Sequence, residues 1–269
     1  MTLLQIIVLA IVQGITEFLP ISSSGHLILV PELTNWPDQG IMMDVGVHVG
    51  TLGAVILYFR NDVGRMALSF LKLISFNKSY DKTDRHLMWM IILSTIPIVI
   101  FGAAASSLGL TDAWRTIEII GWTSIIFGIL LYVVDTKCDV KLDLSKICFG
   151  HAMIIGFAQV LAIIPGTSRS GITMTAARSL GLSRTDAARF SMLMSIPTIL
   201  AAAILQVKDL TETGNATIGS DLLLGAALSF TAALIAIAGL LKWLERSSMT
   251  PFVIYRVLLG IGLLVYVYA

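Results

Sequence analysis

Two stretches of this 269-residue chain combine charged, hydroxyl and small residues within otherwise apolar sequence. The first is QGITEFLPISSSGH at 13–26, and the second is QVLAIIPGTSRSG at 159–171. Aligned on their serines, the two stretches share a glutamine, two serines and a glycine, which predicts an internal repeat. The first copy contributes an acid, Glu17, and the second contributes a base, Arg169, at positions where the other copy differs. This division predicts one site that both copies build together.

The charged and titratable residues of these stretches suggest phosphate chemistry. Glu17 lies in an apolar helix, where a carboxylate costs on the order of a few kcal/mol unless it is paired or hydrated. The planar guanidinium of Arg169 matches a pair of phosphate oxygens. His26 follows the serines by one helical turn and could act as acid, base or nucleophile at neutral pH. Two structural alternatives remain: a buried Glu17–Arg169 pair that only ties the halves together, and a hydrogen-bonded packing histidine.

The hydroxyl and glycine residues predict two helix N-termini that face one anion. Serine is a preferred N-cap residue, and the free backbone N–H groups of a helix N-terminus bind phosphate. The residues predicted to line this binding site are Ser22, Ser24, Gly25, Gly166, Thr167, Ser168, Ser170 and Gly171. Most of these hydroxyls could be caps alone, and at most one serine needs to be a nucleophile.

Two further pairs have the one-turn spacing of a helix face. Gln13 precedes Glu17 by one turn and could share a cation or a water with it, although an interhelical hydrogen bond is an equal alternative. Asp44 and His48 could hold a metal, but further ligands are lacking nearby in the sequence. We therefore assign Asp44 and His48 a supporting role.

Composition predicts a membrane protein. The chain is 56% hydrophobic and 13% charged, with a mean hydropathy of +0.88, which is far more apolar than a soluble domain. The net charge of +1 gives no reason to expect a nucleic-acid partner. Cys138 and Cys148 flank a predicted cytoplasmic loop, where thiols stay reduced, so no disulfide is predicted.

The pattern of apolar runs predicts an all-α, polytopic membrane helix bundle. The runs that flank each serine motif are too short to cross a bilayer comfortably, so each motif is expected at the tip of a re-entrant helical hairpin. Basic residues concentrate in the connections at 60–86, 135–146 and 242–250, which places these connections in the cytoplasm. Six transmembrane helices are predicted, at 41–59, 87–106, 114–134, 190–207, 221–241 and 251–268.

Each half of the chain therefore contains one hairpin and three crossings. Because three is odd, the second half (about 147–269) must be inverted in the membrane relative to the first (about 1–140). We expect an inverted-topology repeat within a single domain, 1–269. Such repeats place a site near the bilayer midplane, where the broken helices meet.

The two motifs together are highly specific. Q-G-x-T-E-F-L-P-x-S-S-S-G-H at 13–26 and P-G-T-S-R-S-G at 165–171, with the tail PFVIYR at 251–256, resemble the bacterial undecaprenyl-diphosphate phosphatases of the bacitracin-resistance type. The resemblance covers nearly the whole chain. It implies a multi-pass enzyme of the bacterial inner membrane, acting at the outer face. The implied reaction converts undecaprenyl diphosphate to undecaprenyl phosphate, the carrier lipid reused in peptidoglycan synthesis.

The resemblance also implies residue roles. Glu17 matches the essential glutamate and Arg169 the phosphate-binding arginine, while Ser23 and His26 match two residues that have each been proposed as the nucleophile. A divalent cation, Mg²⁺ or Ca²⁺, is expected near Glu17 and Gln13. Some relatives have glutamate at the position of Gln13, so the amide here removes one negative charge from the cation site.

Alternatives to this reading concern mechanism, function class and assembly. Activated water could attack the phosphorus directly, with Ser23 acting only as a donor. Inverted repeats with broken helices are also typical of transporters, so a polyprenyl-phosphate transporter or flippase is the alternative function. A third possibility is a non-catalytic membrane scaffold. Besides the lipid substrate and membrane lipids, a second copy is a possible partner, because wholly apolar outer faces are compatible with a homodimer.

Overall fold

The computed structural model describes residues 1–75, 81–212 and 219–269, without the side chains of Asp112 and of 207–212. Within this part of the chain the regular structure is entirely helical, as predicted. Short 3-10 turns occupy Leu144–Lys146 and Leu161–Ile163. The α-helices are α1 (Leu3–Thr16), α2 (Ser23–Thr34), α3 (Gly40–Tyr58), α4 (Arg60–Ile74), α5 (Lys82–Ser107), α6 (Leu110–Ala113), α7 (Ile117–Lys137), α8 (Phe149–Val160), α9 (Arg169–Ser179), α10 (Arg184–Glu212), α11 (Ser220–Leu244) and α12 (Thr250–Tyr268).

Six of the described helices are long and apolar enough to cross a bilayer: α3, α5, α7, α10, α11 and α12. Their lengths start at 19 residues, close to the roughly 20 residues that a bilayer core requires. These helices coincide with the six predicted crossings, so the prediction of a multi-pass membrane protein is confirmed. Many of their apolar side chains are exposed, as expected for surfaces that contact lipid tails.

Two pairs of shorter helices occupy the positions predicted for hairpins. Helices α1 and α2 have 14 and 12 residues, and helices α8 and α9 have 12 and 11. At 1.5 Å per residue, the longest of these helices extends only about 21 Å, short of a bilayer core of about 30 Å. Each pair is joined at its serine motif. The helical hairpins are therefore confirmed, while their re-entrant placement in a bilayer stays a prediction.

The connection predicted at 60–86 contains more helix than the sequence suggested. Helix α4 occupies its first half, with Asp62 in the first turn and Lys72 in the last, both favourable for the helix dipole. Helix α5 begins at Lys82, with Asp81 as its N-cap. Charges dominate this stretch and hid the amphipathic period of α4. Residues 76–80 of this connection, and residues 213–218 between α10 and α11, lie outside the described residues.

The hairpins pack against long helices of opposite halves. Helix α1 lies on α11, and α8 lies on α5. Glycines allow the close approach: a Cβ at Gly14 would lie 2.6 Å from the Ser229 carbonyl oxygen, and one at Gly156 would lie 2.5 Å from the Ser94 carbonyl oxygen. Small residues in this role are typical of membrane helix interfaces. An internal repeat predicts this equivalence, in which each hairpin packs its first helix against a long helix of the other half. The inverted orientation of the halves stays a prediction.

Candidate active site

Both hairpin tips have the same local backbone geometry. Ser22 and Ser168 each adopt a positive φ, 76° and 69°, and each precedes the first residue of a helix. The Ser22 hydroxyl accepts from the Gly25 N–H at 3.3 Å, and the Ser168 hydroxyl accepts from the Gly171 N–H at 3.1 Å. Non-glycine residues with this backbone are uncommon and cluster at functional sites. The predicted N-caps are thus confirmed, one on each hairpin.

The two tips contact each other directly. The Ser170 hydroxyl donates to the Leu19 carbonyl oxygen at 2.8 Å, and a Cβ at Gly25 would lie 3.6 Å from the Gly166 Cα. These contacts bring the N-termini of α2 and α9 together, as the paired motifs predicted. Free N–H groups at helix N-termini favour anions.

Glu17 is the centre of the polar contacts between the tips. Its carboxylate accepts from the Ser23 hydroxyl at 2.5 Å and from the Gln13 amide at 2.9 Å. The Arg169 guanidinium donates to the other carboxylate oxygen. His48 Nε2 lies 3.8 Å from the Glu17 carboxylate. The Glu17 side chain is 6% exposed and that of Arg169 is 14% exposed, so this ion pair is largely shielded from solvent.

A cavity of about 200 Å³ lies beside this cluster. One wall carries the polar side chains that could bind and attack a phosphate: Glu17, Ser22, Ser23, Ser24, His48, Ser168 and Arg169. The remaining wall is mostly apolar and comes from α5, α10 and the 3-10 turn after α8: Ile98, Ala162, Ile163, Ile199, Ala202 and Ala203. One cavity therefore offers both a polar and an apolar surface to a single ligand.

The other predicted binding residues form the frame of the tips. Gly166 has φ +85°, and a Cβ there would lie 2.1 Å from the Thr123 hydroxyl, so only glycine fits. The Thr167 side chain is fully buried, and its hydroxyl has no hydrogen-bond partner among the described residues. Ser24 also lines the cavity, and its hydroxyl lies 3.4 Å from that of Ser22. Gly171 packs against Arg256.

His26 is held on the side of α12. Its Nδ1 lies 2.6 Å from the Ser22 carbonyl oxygen, and its Nε2 lies 2.5 Å from the Tyr255 hydroxyl. An Nδ1–H that donates to the carbonyl leaves Nε2 to accept from the tyrosine. The structure thus engages both ring nitrogens, and a catalytic role for His26 stays a prediction.

Two residues near the tips were not assigned to the site from sequence. His48 lines the cavity, and its Nδ1 lies 2.7 Å from the Asp44 carbonyl oxygen. The Asp44 carboxylate instead accepts from Gln39 at 2.9 Å, so Asp44 and His48 do not face each other as metal ligands. Arg256 is fully buried and contacts the second tip. Its signal was a single charge within an apolar span.

Glu17 and Gln13, the two residues expected to bind a cation, lie next to each other. Among residues 1–75, 81–212 and 219–269, no group of three or more His, Cys, Asp or Glu side chains could hold a metal ion. Gln13 lies beside the Glu17 carboxylate, and its amide oxygen is buried without a hydrogen-bond partner in that part of the chain. The Gln13 nitrogen, and not its oxygen, faces Glu17, so the amide would have to rotate for its oxygen and the carboxylate to bind one hard cation together with phosphate and water.

Comparison with known proteins decides the family. The family described as bacitracin resistance protein BacA matches residues 6–262. The chain belongs to the BacA family. Relatives bearing the name undecaprenyl-diphosphatase include those of Alteromonas mediterranea and Jannaschia sp., which are 49% and 48% identical over 269 residues, covering 100% of both chains in each case. A relative of the same name from Ruegeria pomeroyi is 49% identical over 265 residues, covering 98% of each chain.

Proposed function

We propose that this member of the BacA family is an undecaprenyl-diphosphatase. It hydrolyses undecaprenyl diphosphate to undecaprenyl phosphate and inorganic phosphate, which recycles the carrier lipid for peptidoglycan synthesis and confers resistance to bacitracin. Family membership across residues 6–262 and the name shared by full-length relatives support the reaction. The observation that most supports this function is the cavity, in which Glu17, Ser23 and Arg169 lie beside an apolar wall.

The polar wall matches the needs of phosphoryl transfer, in which positioning and charge stabilisation do most of the work. Arg169 donates to Glu17, and its other terminal nitrogen is buried without an internal partner among the described residues. A guanidinium with a free N–H group is ready to bind a phosphate oxygen. The N-termini of α2 and α9 add further donors of the kind that bind anions.

Ser23 is the proposed nucleophile and Glu17 the proposed base. The 2.5 Å hydrogen bond directs the Ser23 proton toward the carboxylate. Attack by Ser23 Oγ on the terminal phosphorus forms a phosphoserine, breaks the bond between that phosphorus and the bridging oxygen, and releases the lipid monophosphate. Glu17 takes the proton of the serine. Water then hydrolyses the phosphoserine, releasing inorganic phosphate and restoring the hydroxyl.

Direct attack by water is the competing mechanism, in which Ser23 only donates to the substrate. His26 is the other candidate for a proton-transfer or nucleophilic role. Its ring would have to leave the Tyr255 hydroxyl, which lies 2.5 Å from Nε2, before that nitrogen could reach a phosphate. The contact between Ser23 and Glu17 favours the serine pathway, because nucleophile and base are already within hydrogen-bond distance.

A divalent cation, Mg²⁺ or Ca²⁺, is proposed as the cofactor. Glu17 and Gln13 would hold it, and it would supply charge neutralisation for the diphosphate. Mg²⁺ is commonly bound by one or two carboxylates together with substrate phosphates and water. The single carboxylate at the tips agrees with a cation that binds together with the substrate.

The apolar wall of the cavity suits the first part of a prenyl chain. Ile98, Ile163 and Ile199 line it, together with the small side chains of Ala202 and Ala203. A cavity of about 200 Å³ is too small for a long polyprenyl tail, since pockets for drug-sized ligands already measure about 300–1,000 Å³. We therefore propose that the rest of the tail lies in the surrounding lipid.

The proposed location is the bacterial inner membrane, with the site open to the outer side. The basic connections gather at one end of the bundle: Asp135 binds Arg184 at 2.7 Å and the Met249 N–H at 3.0 Å. The positive-inside rule makes this end cytoplasmic. The cavity is lined by the first half of α3 and the last part of α10, toward the opposite end. Apolar outer faces would also permit a homodimer.

The test is phosphate release from a prenyl diphosphate by the purified chain, with and without Mg²⁺ or Ca²⁺. The native chain is compared with Glu17→Gln and Arg169→Ala, and the melting temperature in detergent verifies folding. We expect cation-dependent release that both substitutions abolish. Folded native protein that releases no phosphate, in either cation, would overturn the proposed function and favour lipid transport.

A further inference from the structure

Arg256 is a buried cation that holds backbone carbonyls of both hairpin tips. Its side chain is fully buried in α12. Nη2 donates to the Gly166 and Thr167 carbonyl oxygens, each at 2.9 Å, and lies 3.4 Å from that of Thr123. Nη1 lies 3.5 Å from the Pro20 carbonyl oxygen, at the tip of the first hairpin. One guanidinium therefore contacts both tips and α7.

This charge has no acidic partner in the described part of the chain. The acceptors around Arg256 there are carbonyl oxygens, and no carboxylate forms an ion pair with it. Its Nε is also without a hydrogen-bond partner. By contrast Arg178, another buried arginine, pairs with Asp135 at 3.4 Å. An unpaired buried charge is costly, so its presence near the tips calls for a compensating anion.

The contacts of Arg256 also set the orientation of the peptides that lead into α9. In a planar trans peptide the N–H points opposite to the C=O. Because the Thr167 carbonyl faces Arg256, the N–H of Ser168 faces away from it. Ser168 lines the cavity, and α9 begins at the next residue, Arg169. The guanidinium thus fixes the peptide immediately before this helix N-terminus.

We propose that Arg256 is a positioning residue for the anion site between the tips. It locks the two tips in register through their carbonyl oxygens, and its unneutralised charge raises the positive potential at the N-termini of α2 and α9. This inference rests on the proposed function for the identity of the anion, a phosphate ester. Arg256 itself lies behind the tips and acts on the substrate through Ser168 and its neighbours.

Gly171 gives an independent way to perturb this contact while keeping the charge. A Cβ at Gly171 would lie 2.9 Å from Arg256 Nη1 and 3.1 Å from the Ser168 hydroxyl. Contacts under 3.0 Å force something to shift. Gly171→Ala should therefore displace the guanidinium from the tip without removing it.

The experiment measures two properties of purified protein in detergent. The first is the binding of inorganic phosphate, read as the rise in melting temperature with phosphate concentration. The second is kcat and KM for a short prenyl diphosphate. The variants are Arg256→Met, which removes charge and donors, Arg256→Lys, which keeps the charge, and Gly171→Ala. Arg178→Met is the matched control, because it removes a buried arginine that also donates to carbonyl oxygens.

We expect Arg256→Met to weaken phosphate binding and raise KM by about tenfold or more, the scale of a lost interaction with a charged group. Arg256→Lys should retain most of the phosphate affinity but lose kcat, because an ammonium cannot hold the same set of carbonyls. Gly171→Ala should lower kcat in the same way. Arg178→Met should lower the melting temperature while leaving phosphate affinity and KM within about threefold of native, as for sites that do not couple.

Two results would overturn the inference. One is folded Arg256→Met that binds phosphate with native affinity. The other is a lower melting temperature in both Arg256→Met and Arg256→Lys while KM and phosphate affinity stay native. This is how a purely structural residue behaves. Phosphate binding is measured without turnover, so it can be tested even in a protein that is not a diphosphatase. Native protein that binds phosphate but does not hydrolyse a prenyl diphosphate would contradict the proposed function. The binding test of Arg256 would still apply.

Discussion

Ser23 and Glu17 are joined by a hydrogen bond of 2.5 Å within the first hairpin tip. The two residues are six positions apart, on opposite sides of the turn that connects α1 and α2. This turn places a hydroxyl and a carboxylate face to face, as a nucleophile and its base require. The second hairpin has no acid at the matching position, and it contributes Arg169 to the same carboxylate. The proposed chemistry is therefore divided between two hairpin tips that share the same backbone geometry.

Removal of the Ser23 hydroxyl tests the covalent pathway. Ser23→Ala should lower kcat by about 100-fold or more, because proton transfer and nucleophilic attack are both lost. Quenching native protein with radiolabelled prenyl diphosphate should trap phosphate on Ser23. Ser107→Ala, at an exposed serine that bonds its own helix, is the control and should keep native kcat. Substantial turnover by Ser23→Ala would sink the covalent pathway in favour of direct attack by water.

The ion pair between Glu17 and Arg169 should act as a unit in catalysis. Glu17→Gln and Arg169→Gln should each lower kcat/KM strongly, and the double variant should lose little more than the worse single variant. Residues in direct contact show such non-additive effects. The measurement is kcat/KM for all four proteins at one cation concentration. Losses that multiply in the double variant would show that the two residues act independently.

His48 should contribute to the site despite its weak sequence signal. His48→Ala removes an imidazole that lines the cavity and lies 3.8 Å from the Glu17 carboxylate. We expect kcat/KM to fall by about tenfold, the scale of one lost electrostatic interaction with the nearby carboxylate. The matched control is His151→Ala. His151 accepts a hydrogen bond from the Cys148 N–H at the start of α8 and does not line the cavity. Equal activity of both variants would remove His48 from the site.

The apolar wall predicts that a bulkier side chain in the cavity weakens the binding of a prenyl diphosphate. Ala202→Trp would place a large side chain in the cavity wall, which Ile98 and Ile199 also line. We expect KM to rise about tenfold for a prenyl diphosphate, the scale of one or two buried methylene groups. Inhibition by inorganic pyrophosphate, which has no prenyl group, should stay at the native level. Leu200→Trp is the control, because Leu200 is exposed on the same helix outside the cavity wall. An unchanged KM for Ala202→Trp would place the tail elsewhere.

Asp135 should matter for stability and not for catalysis. Its side chain is 1% exposed and accepts from Arg184 at 2.7 Å and from the Met249 N–H at 3.0 Å. Asp135→Ala leaves Arg178 buried without its carboxylate, which costs about 3–5 kcal/mol. The melting temperature in detergent should fall, while the folded fraction keeps native kcat. Asp139→Ala, at a carboxylate that is 74% exposed, should change the melting temperature little.

The crossings and the meeting of the two tips could be predicted from sequence because each apolar run and each serine motif is a continuous stretch of residues. Apolar runs of about 20 residues predict spans, and the duplicated serine motif carried Glu17 and Arg169 in its two copies. Helix α4 was hidden because its charged residues mask an amphipathic period. Its exposed Leu68, Leu71 and Ile74 become recognisable as one face only once the helix is in place.

The partners of His26 and Arg256 could not be predicted, because they depend on long-range packing. Tyr255, which faces His26, is 229 positions away in sequence. Arg256 reaches Pro20, 236 positions away. Neither pair has a spacing that a sequence pattern could reveal. The sequence placed His26 near the serines correctly, but the orientation of its ring depends on where α12 packs.

The positive φ angles of Ser22 and Ser168 imply a trade-off between stability and function at the two tips. A non-glycine residue in this backbone costs on the order of 1–3 kcal/mol. Glycine at either position would relieve that cost and lose the hydroxyl that accepts from Gly25 or Gly171. Selection for thermal stability alone would therefore favour glycine at both tips and remove the hydroxyls of the proposed anion site. Heat-tolerant versions of this protein are better sought in the six long helices, with the tips kept fixed.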